Sequence, residues 1–303
     1  MVIKNRSRIC LIISAAIIAI ALVMTIISPP GVNLGIDFSQ GLSMQYKLTK
    51  DTPVDKAVVE KVLQGMNLTS YTVTVQGSNN NEVNIRIKDA TEDNKQDIKI
   101  AFEDAIKEYY PDVNTDGNIS YVGPVAGATL VTKAIVSVLI AAALMLIYIA
   151  IRFDLNSGLA AVFGLIHDVL IMLSFMVIFR SVIQMNSSFI AAALTIVGYS
   201  INNTIVIFDR IRENAKKMPN VAREEVTNIS IKESLGRTIC TTITTLITIV
   251  ALCILGVASI REFALPIIVG ILSGVYSANM INGYVWAFLE EKRRARKLAG
   301  KKK

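Results

Sequence analysis

The chain is short of the residues from which most active sites are built. Its 303 residues include a single histidine, His167, with three cysteines and one tryptophan. One histidine leaves most hydrolytic metal sites without ligands, and no serine–histidine–aspartate, paired-carboxylate or phosphate-loop constellation stands in its place. An enzyme, or a protein with a resident metal or organic cofactor, is therefore a poor reading. The cysteines, Cys10, Cys240 and Cys253, fall inside apolar runs at no metal-ligand spacing, so they read as small packing residues and say nothing of redox compartment. Charge is scarce too, at 18% of residues against 52% hydrophobic. Despite a net charge of +7, basic and aromatic residues are not interleaved as a nucleic-acid partner would require.

What is present is apolar sequence in long runs. A bilayer-crossing helix needs about 20 mainly apolar residues, since each adds about 1.5 Å against a hydrocarbon core of about 30 Å. Six windows qualify: Ile9 to Ile27, Leu130 to Ile151, Gly158 to Phe179, Ser187 to Phe208, Thr238 to Val257, and Ala264 to Leu289. The fold class is a polytopic α-helical membrane protein with six transmembrane helices. Lys4, Arg6 and Arg8 precede the first window like the n-region of a signal peptide, but the run ends at Ser28-Pro29-Pro30 with no small-x-small cleavage site, which fits an uncleaved anchor.

Short loops rich in Lys and Arg stay cytoplasmic. The segment 209–237 carries Arg210, Arg212, Lys216, Lys217, Arg223, Lys232 and Arg237, and the tail 290–303 carries Lys292, Arg293, Arg294, Arg296, Lys297 and Lys301 to Lys303. With the basic amino terminus, all three group on one side of a six-span chain, predicted to be the inside. The chain then divides into 1–29, the amino terminus and first span; 30–129, an extracytoplasmic domain; 130–289, spans two to six; and 290–303, a cytoplasmic tail. The outer domain holds nine Lys or Arg against fourteen Asp or Glu, so the positive charge belongs to the membrane flanks, where lipid headgroups are natural contacts.

Within the outer domain the hydrophobic period switches between two and 3.6. Leu42 to Leu48 reads as a strand, and Thr52-Pro53 as the N-cap and first residue of a helix running to Asn67. Tyr71 to Gln76 and Val83 to Ile87 alternate around the turn-rich Gly77-Ser78-Asn79-Asn80, which makes a hairpin. Thr91 is placed to cap a second helix bearing Ile98, Phe102 and Ile106 on one face, and Asn118 to Val122 closes as a strand. The order is βαββαβ, a ferredoxin-like α+β unit between spans one and two. Such a fold hosts many functions and settles none.

Ionisable residues in mid-membrane are costly, at about 2.5–3.5 kcal/mol on insertion scales, and so are functional candidates by default. Asp168 lies near the middle of the third span, beside His167. Neighbouring helical residues point about 100° apart, so the two do not share one partner. Asp168 is either an ion carrier, or the counter-ion that orients one, or half of a polar pair locking the span to its neighbours. Small and hydroxylated residues crowd the last two spans: Thr241, Thr242, Thr244, Thr245 and Thr248 in the fifth, Gly270, Ser273, Gly274 and Ser277 in the sixth, with Asn279 and Asn282 deeper. Close helix packing is the first reading of them and an ion path the second.

The most specific stretch is Val197 to Asn214, VGYSINNTIVIFDRIREN, and further pieces stand around it in a fixed order. They are Gly35-Ile36-Asp37-Phe38, Val122-Gly123-Pro124, Arg152-Phe153, His167-Asp168, Arg237-Thr238 and Gly274-Val275-Tyr276-Ser277. This ordered set resembles the SecF family, accessory subunits of the bacterial Sec protein-export translocase. The resemblance implies a SecD partner with the same six-span plan, the two forming a pair of the resistance-nodulation-division type. It also implies use of the proton or sodium gradient (no cofactor beyond the coupling ion) to draw secreted chains outward. It places the SecY/SecE/SecG channel, YajC, a YidC-type insertase and the translocating polypeptide among the contacts.

Two departures from the family pattern matter. Asn203, beside Asn202, stands where the family usually has an aspartate taken to join in ion coupling, and asparagine does not titrate near neutral pH. Either Asp168 or a SecD aspartate carries the ion, or Asn203 ligates sodium through its oxygen, or this half is a passive partner. Gln40 stands where glycine is usual. The family match makes Arg237 an ion-pair partner for a membrane carboxylate, against its plain reading as a boundary arginine. Asp209, Arg212 and Glu213, at i, i+3 and i+4, are expected to form a cytoplasmic ion-pair network.

Overall fold

The computed structural model describes residues 3–27, 31–39, 41–49, 53–68, 70–76, 81–88, 90–111, 114–181, 183–256 and 258–300. The chain divides into two compact units, one of residues 34–134 and one joining 1–33 to 135–303. Helix α1 (Ile3–Ile27) opens the second of these, and the short α2 (Ile36–Ser39) opens the first.

After α2 the smaller unit runs β1 (Gly41–Lys47), α3 (Lys56–Gly65), β2 (Tyr71–Gln76), β3 (Glu82–Ile87), α4 (Lys95–Lys107) and β4 (Asn114–Val122). The strands form one antiparallel sheet in the order β2-β3-β1-β4. Alternation decides its faces. Leu42, Met44 and Tyr46 of β1, with Val83, Ile85 and Ile87 of β3, are buried together with Val59 and Leu63 of α3 and Phe102 and Ile106 of α4. On alternate positions Ser43 donates to Asn84 Oδ1 at 3.2 Å. A register shift between Gln45 and Lys47 lets β4 begin four residues before the expected Asn118.

Both helices of this unit start later than the sequence suggests. Asp55 takes the N-cap of α3, its Oδ1 accepting from Ala57 N at 2.9 Å, so Pro53 lies outside the helix. Thr52 and the turn Gly77 to Asn80 lie outside the described residues, as does Gln40. At α4, Thr91 N donates to Asn94 Oδ1 at 2.7 Å and Asn94 N to Thr91 Oγ1 at 3.4 Å, a reciprocal pair that spends a turn before regular α-helix begins at Lys95.

With α1, the larger unit is built from α5 (Pro124–Arg152) beyond residue 134, α6 (Leu155–Ile178), α7 (Ser188–Lys217), α8 (Arg223–Leu255), α9 (Ala258–Ser277), a π-helical turn (Ala278–Asn282) and α10 (Gly283–Gly300). Among the described residues six helical stretches are long and apolar enough to cross a membrane, the last running through α9, the π turn and α10. They match the six windows in number and place, and with the comparisons reported below the chain is a multi-pass membrane protein. One boundary is corrected. The segment 209–237 is not a loop, because α7 continues to Lys217 and α8 begins at Arg223, leaving a connection of only a few residues.

Burial sorts the helices into two groups. Half of the most apolar stretch of α6 and of α7 is buried, and 61% of that in the last span, against 6% for α5 and 11% each for α1 and α8. The interior of the unit is therefore the meeting of α6, α7 and α9. Small residues bring these helices close: a methyl group on Gly274 of α9 would stand 3.2 Å from Ser200 Cα of α7, and one on Gly164 of α6 would collide with the Asn282 side chain.

Candidate functional site

At that meeting lies Asp168, fully buried on α6. Its carboxylate accepts from Ser273 Oγ of α9 at 2.7 Å, from Ser277 Oγ at 2.9 Å and from Ser200 Oγ of α7. His167 Nδ1 stands 2.9 Å from Asp168 Oδ1. With the carboxylate ionised and the imidazole neutral, Nδ1 carries the proton and His167 Nε2, 2.7 Å from Ser14 Oγ of α1, accepts from that hydroxyl. Four donors from three helices thus converge on two oxygens, which is the full complement an ionised carboxylate takes. The sequence separates the partners of the two side chains, and so does the structure, serines for Asp168 and Ser14 for His167. The direct bond between the neighbours was not anticipated. The imidazole also lies 6.0 Å from the Tyr276 ring, the two planes 28° apart.

The chemical consequence follows from the count of donors. A protonated carboxyl becomes a donor in one direction, so at least one of the four present donors must turn away. A serine hydroxyl makes that change by rotating, since it accepts as well as donates. The sequence marks Ser273 and Ser277 as helix-packing residues first and an ion path second, and does not single out Ser200. Their spacing was the available signal: Ser273 and Ser277 are four apart and share a helix face.

Asn203 lies one turn along α7 from Ser200, is 2% exposed, and its Nδ2 finds no acceptor among the described residues. Beside it Asn282 Nδ2 donates to Thr204 Oγ1 at 2.9 Å while its own Oδ1 is unpartnered. Asn279 Nδ2 donates to Val275 O at 2.7 Å, and its Oδ1 is likewise free. Asn279 and Asn282 both belong to the π turn, a feature often found at functional sites. Buried polar atoms without partners are expensive in a membrane interior, and these donors and acceptors are open to water or an ion.

Other candidates stand apart from this cluster. Asn202 is exposed, so it joins neither the packing nor the polar line. Arg237 is exposed too and has no ion pair among the described residues. The threonines of α8 donate to their own helix, Thr242 to Thr238 O and Thr245 to Thr241 O, and Thr245 Oγ1 also accepts from Tyr199 Oη of α7 at 3.1 Å. An ion-pair network stands at this end of α7, with a different centre. Arg210 pairs with Glu213 at 2.6 Å and with Glu233 of α8 at 2.7 Å, and Lys217 joins Glu213 at 2.7 Å. Arg212 instead donates to Arg152 O at 3.2 Å, and Asp209 is exposed, because the helix turns these two away from α8. Among the described residues no group of His, Cys, Asp and Glu is arranged to hold a metal.

Residues 101–292 match the family model described as protein export membrane protein SecD/SecF, C-terminal. The chain is similar to protein translocase subunit SecF of Rickettsia bellii, 34% identical over 261 residues that cover 86% of this chain and 84% of that one. It is similar also to protein translocase subunit SecDF of Bacillus subtilis, 35% identical over 84% of this chain and 34% of the longer relative. A crystal structure of SecDF from Thermus, described as a translocon-associated membrane protein, superposes with a TM-score of 0.81 at 29% identity, covering 95% of this chain and 38% of that one. This chain thus spans well under half of the solved SecDF.

Proposed function

Since the chain belongs to the SecD/SecF family of protein export membrane proteins, we propose that it is the SecF-type subunit of a Sec translocase, and that the proton or sodium gradient acts on it through Asp168. SecD is the partner, a reading supported by relatives in which the two are fused in one chain. The smaller unit is ferredoxin-like and lies outside the cell, with both termini inside, as the clustering of Lys and Arg requires. The channel proteins SecY, SecE and SecG, YajC, a YidC-type insertase and the moving polypeptide are the further contacts.

The observation that carries the ion-coupling part is the fully buried carboxylate held by donors on α6, α7 and α9. Taking up a proton from the outer side breaks that set, and releasing it inward restores it, so the gradient drives alternation in the hydrogen bonds between these helices. Sodium would act on the same oxygens, since a carboxylate and hydroxyls are hard ligands. Asn203, Asn279 and Asn282 offer the polar steps between Asp168 and the inner side.

Two tests bear on this. Cells with a clean deletion secrete slowly and accumulate precursors, and the tagged chain brings down SecD from detergent extracts. Normal secretion kinetics in the deletion would contradict the assignment. Asn203, non-titrating where an acid is usual in the family, supports a second reading in which this half is a passive scaffold for SecD. The alternative of a small-molecule exporter half needs an apolar drug pocket in the outer region, which an acidic unit of about a hundred residues serves poorly.

A further inference from the structure

We infer that the cavity among the ends of α6, α7, α8 and α10 binds the phosphate of an anionic phospholipid of the inner leaflet. The cavity holds about 190 Å³, several times the roughly 30 Å³ that one water takes in the liquid, so a tetrahedral phosphate fits with room to spare. Its walls bring together Arg212 and Lys216 of α7, Arg223 of α8 and Trp286 of α10.

Two of these four side chains are buried with unspent hydrogen-bonding capacity. Trp286 is 5% exposed, and its indole N–H has no acceptor among the described residues. Arg223 is also 5% exposed, yet its guanidinium makes only a long bond, 3.4 Å from Nη1 to Ala215 O, and no carboxylate stands within ion-pair distance among the described residues. A buried cation without a counter-ion is a poor structural element but a good anion ligand, since the planar fork matches a phosphate face and Lys216 adds a point charge.

Two carboxylates also line the cavity, and both are engaged elsewhere. Asp154 caps α6 by accepting from Ser157 N at 2.6 Å, and Glu290 accepts from Asn156 Nδ2 at 2.7 Å and faces Arg293 and Arg294 on its own helix. The balance at the mouth remains positive.

A lipid, rather than free phosphate, is favoured by what lies alongside. A second, more open cavity begins at the neighbouring residues Asn156 and Leu289, with Leu159 on its wall and Lys292, Arg293 and Arg296 at its rim. Apolar wall beside cationic rim is the surface an acyl chain and headgroup would meet together. Basic pockets between transmembrane helices on the cytoplasmic side are a recognised form of anionic-lipid site. The inference rests on the orientation proposed above, which puts these helix ends at the inner leaflet, and not on any role in export.

The test is native mass spectrometry of the full chain with SecD, released from detergent micelles doped with phosphatidylglycerol or with phosphatidylcholine. The protein is expected to retain phosphatidylglycerol in preference, and Arg223→Gln or Lys216→Gln to lower that retention about fivefold each, as loss of about 1 kcal/mol per cation implies. Lys216 is exposed, so its variant reads binding even where the Arg223 variant fails to assemble. Equal retention of both lipids, or retention unchanged by Lys216→Gln, would overturn the inference. Inorganic phosphate is the third arm: displacement of the lipid only at high concentration supports a headgroup site, whereas binding of phosphate with no lipid retained would overturn the lipid assignment. Whether cells lacking the chain secrete normally leaves this readout untouched.

Discussion

The two units of this chain have opposite interiors. In the smaller one Leu42, Met44, Ile85, Phe102 and Ile106 fill the core, and of the described polar side chains Asn81 and Arg86 are buried. In the larger one Asp168, His167, Ser200, Ser277, Asn203 and Asn282 are buried, while Ile26, Ile151 and Leu255 are 78%, 81% and 85% exposed. The same rules produce both results in different solvents. Water drives apolar side chains together, whereas in lipid there is no such gain, and contact between helices rests on small residues and hydrogen bonds. An ionisable residue kept in the second kind of interior is there for what it does.

The comparison is broken most severely by truncating the water-built core. Phe102→Ala should cost about 3–5 kcal/mol in the smaller unit, read as faster cleavage between residues 34 and 134 in limited proteolysis. Trp286 is the only tryptophan and sits in the larger unit, so its fluorescence should report no change in the same variant.

A smaller effect comes from the one buried phenol of that core. Tyr46 donates to Glu103 Oε1 at 2.9 Å, and burial first, then that hydrogen bond and the Glu103 charge, push its pKa well above the ordinary value. The unfolded phenol ionises near pH 10 while the folded one resists. Its contribution is therefore complete below about pH 10 and is lost as the pH rises above that value. Urea unfolding of the smaller unit should show stability falling across that window, and Tyr46→Phe should remove the slope while costing about 1 kcal/mol for the lost bond.

The smallest effect is expected where intuition would place the largest. Ser277→Ala removes a fully buried hydrogen bond to Asp168, yet such bonds between membrane helices average only about 0.6 kcal/mol. Unfolding followed through Trp286 should register about that much. A loss of several kcal/mol would mean that the serines hold the fold together and do not serve the carboxylate.

Much of this was legible in the sequence. The six spans follow from run length, and the strands and helices of the smaller unit from alternation, because both signals are properties of consecutive residues. What failed was local or long-range. Asp55 takes the cap of α3, and α8 begins well before its apolar stretch because Glu224 and Glu225 open a good polar helix there. Asp168 could be singled out as a lone acid in an apolar run, but its serine partners lie 32, 105 and 109 residues away. No periodicity joins them. The cytoplasmic network was expected from spacing alone, and spacing does not say which face of α7 meets α8; it is the Arg210 face.

The central claim is that Asp168 is where the ion gradient acts on this chain. It is tested most directly by translocation into membrane vesicles containing the chain with SecD, measured with an imposed gradient and again with the gradient collapsed by an ionophore. Asp168→Asn keeps the size of the side chain and removes its titration, and retention of SecD on purification checks that the variant assembles. The wild type should lose its stimulation when the ionophore is added, and the variant should run at the collapsed-gradient rate under both conditions. A variant stimulated by the gradient as strongly as the wild type would contradict the claim and leave this half a scaffold.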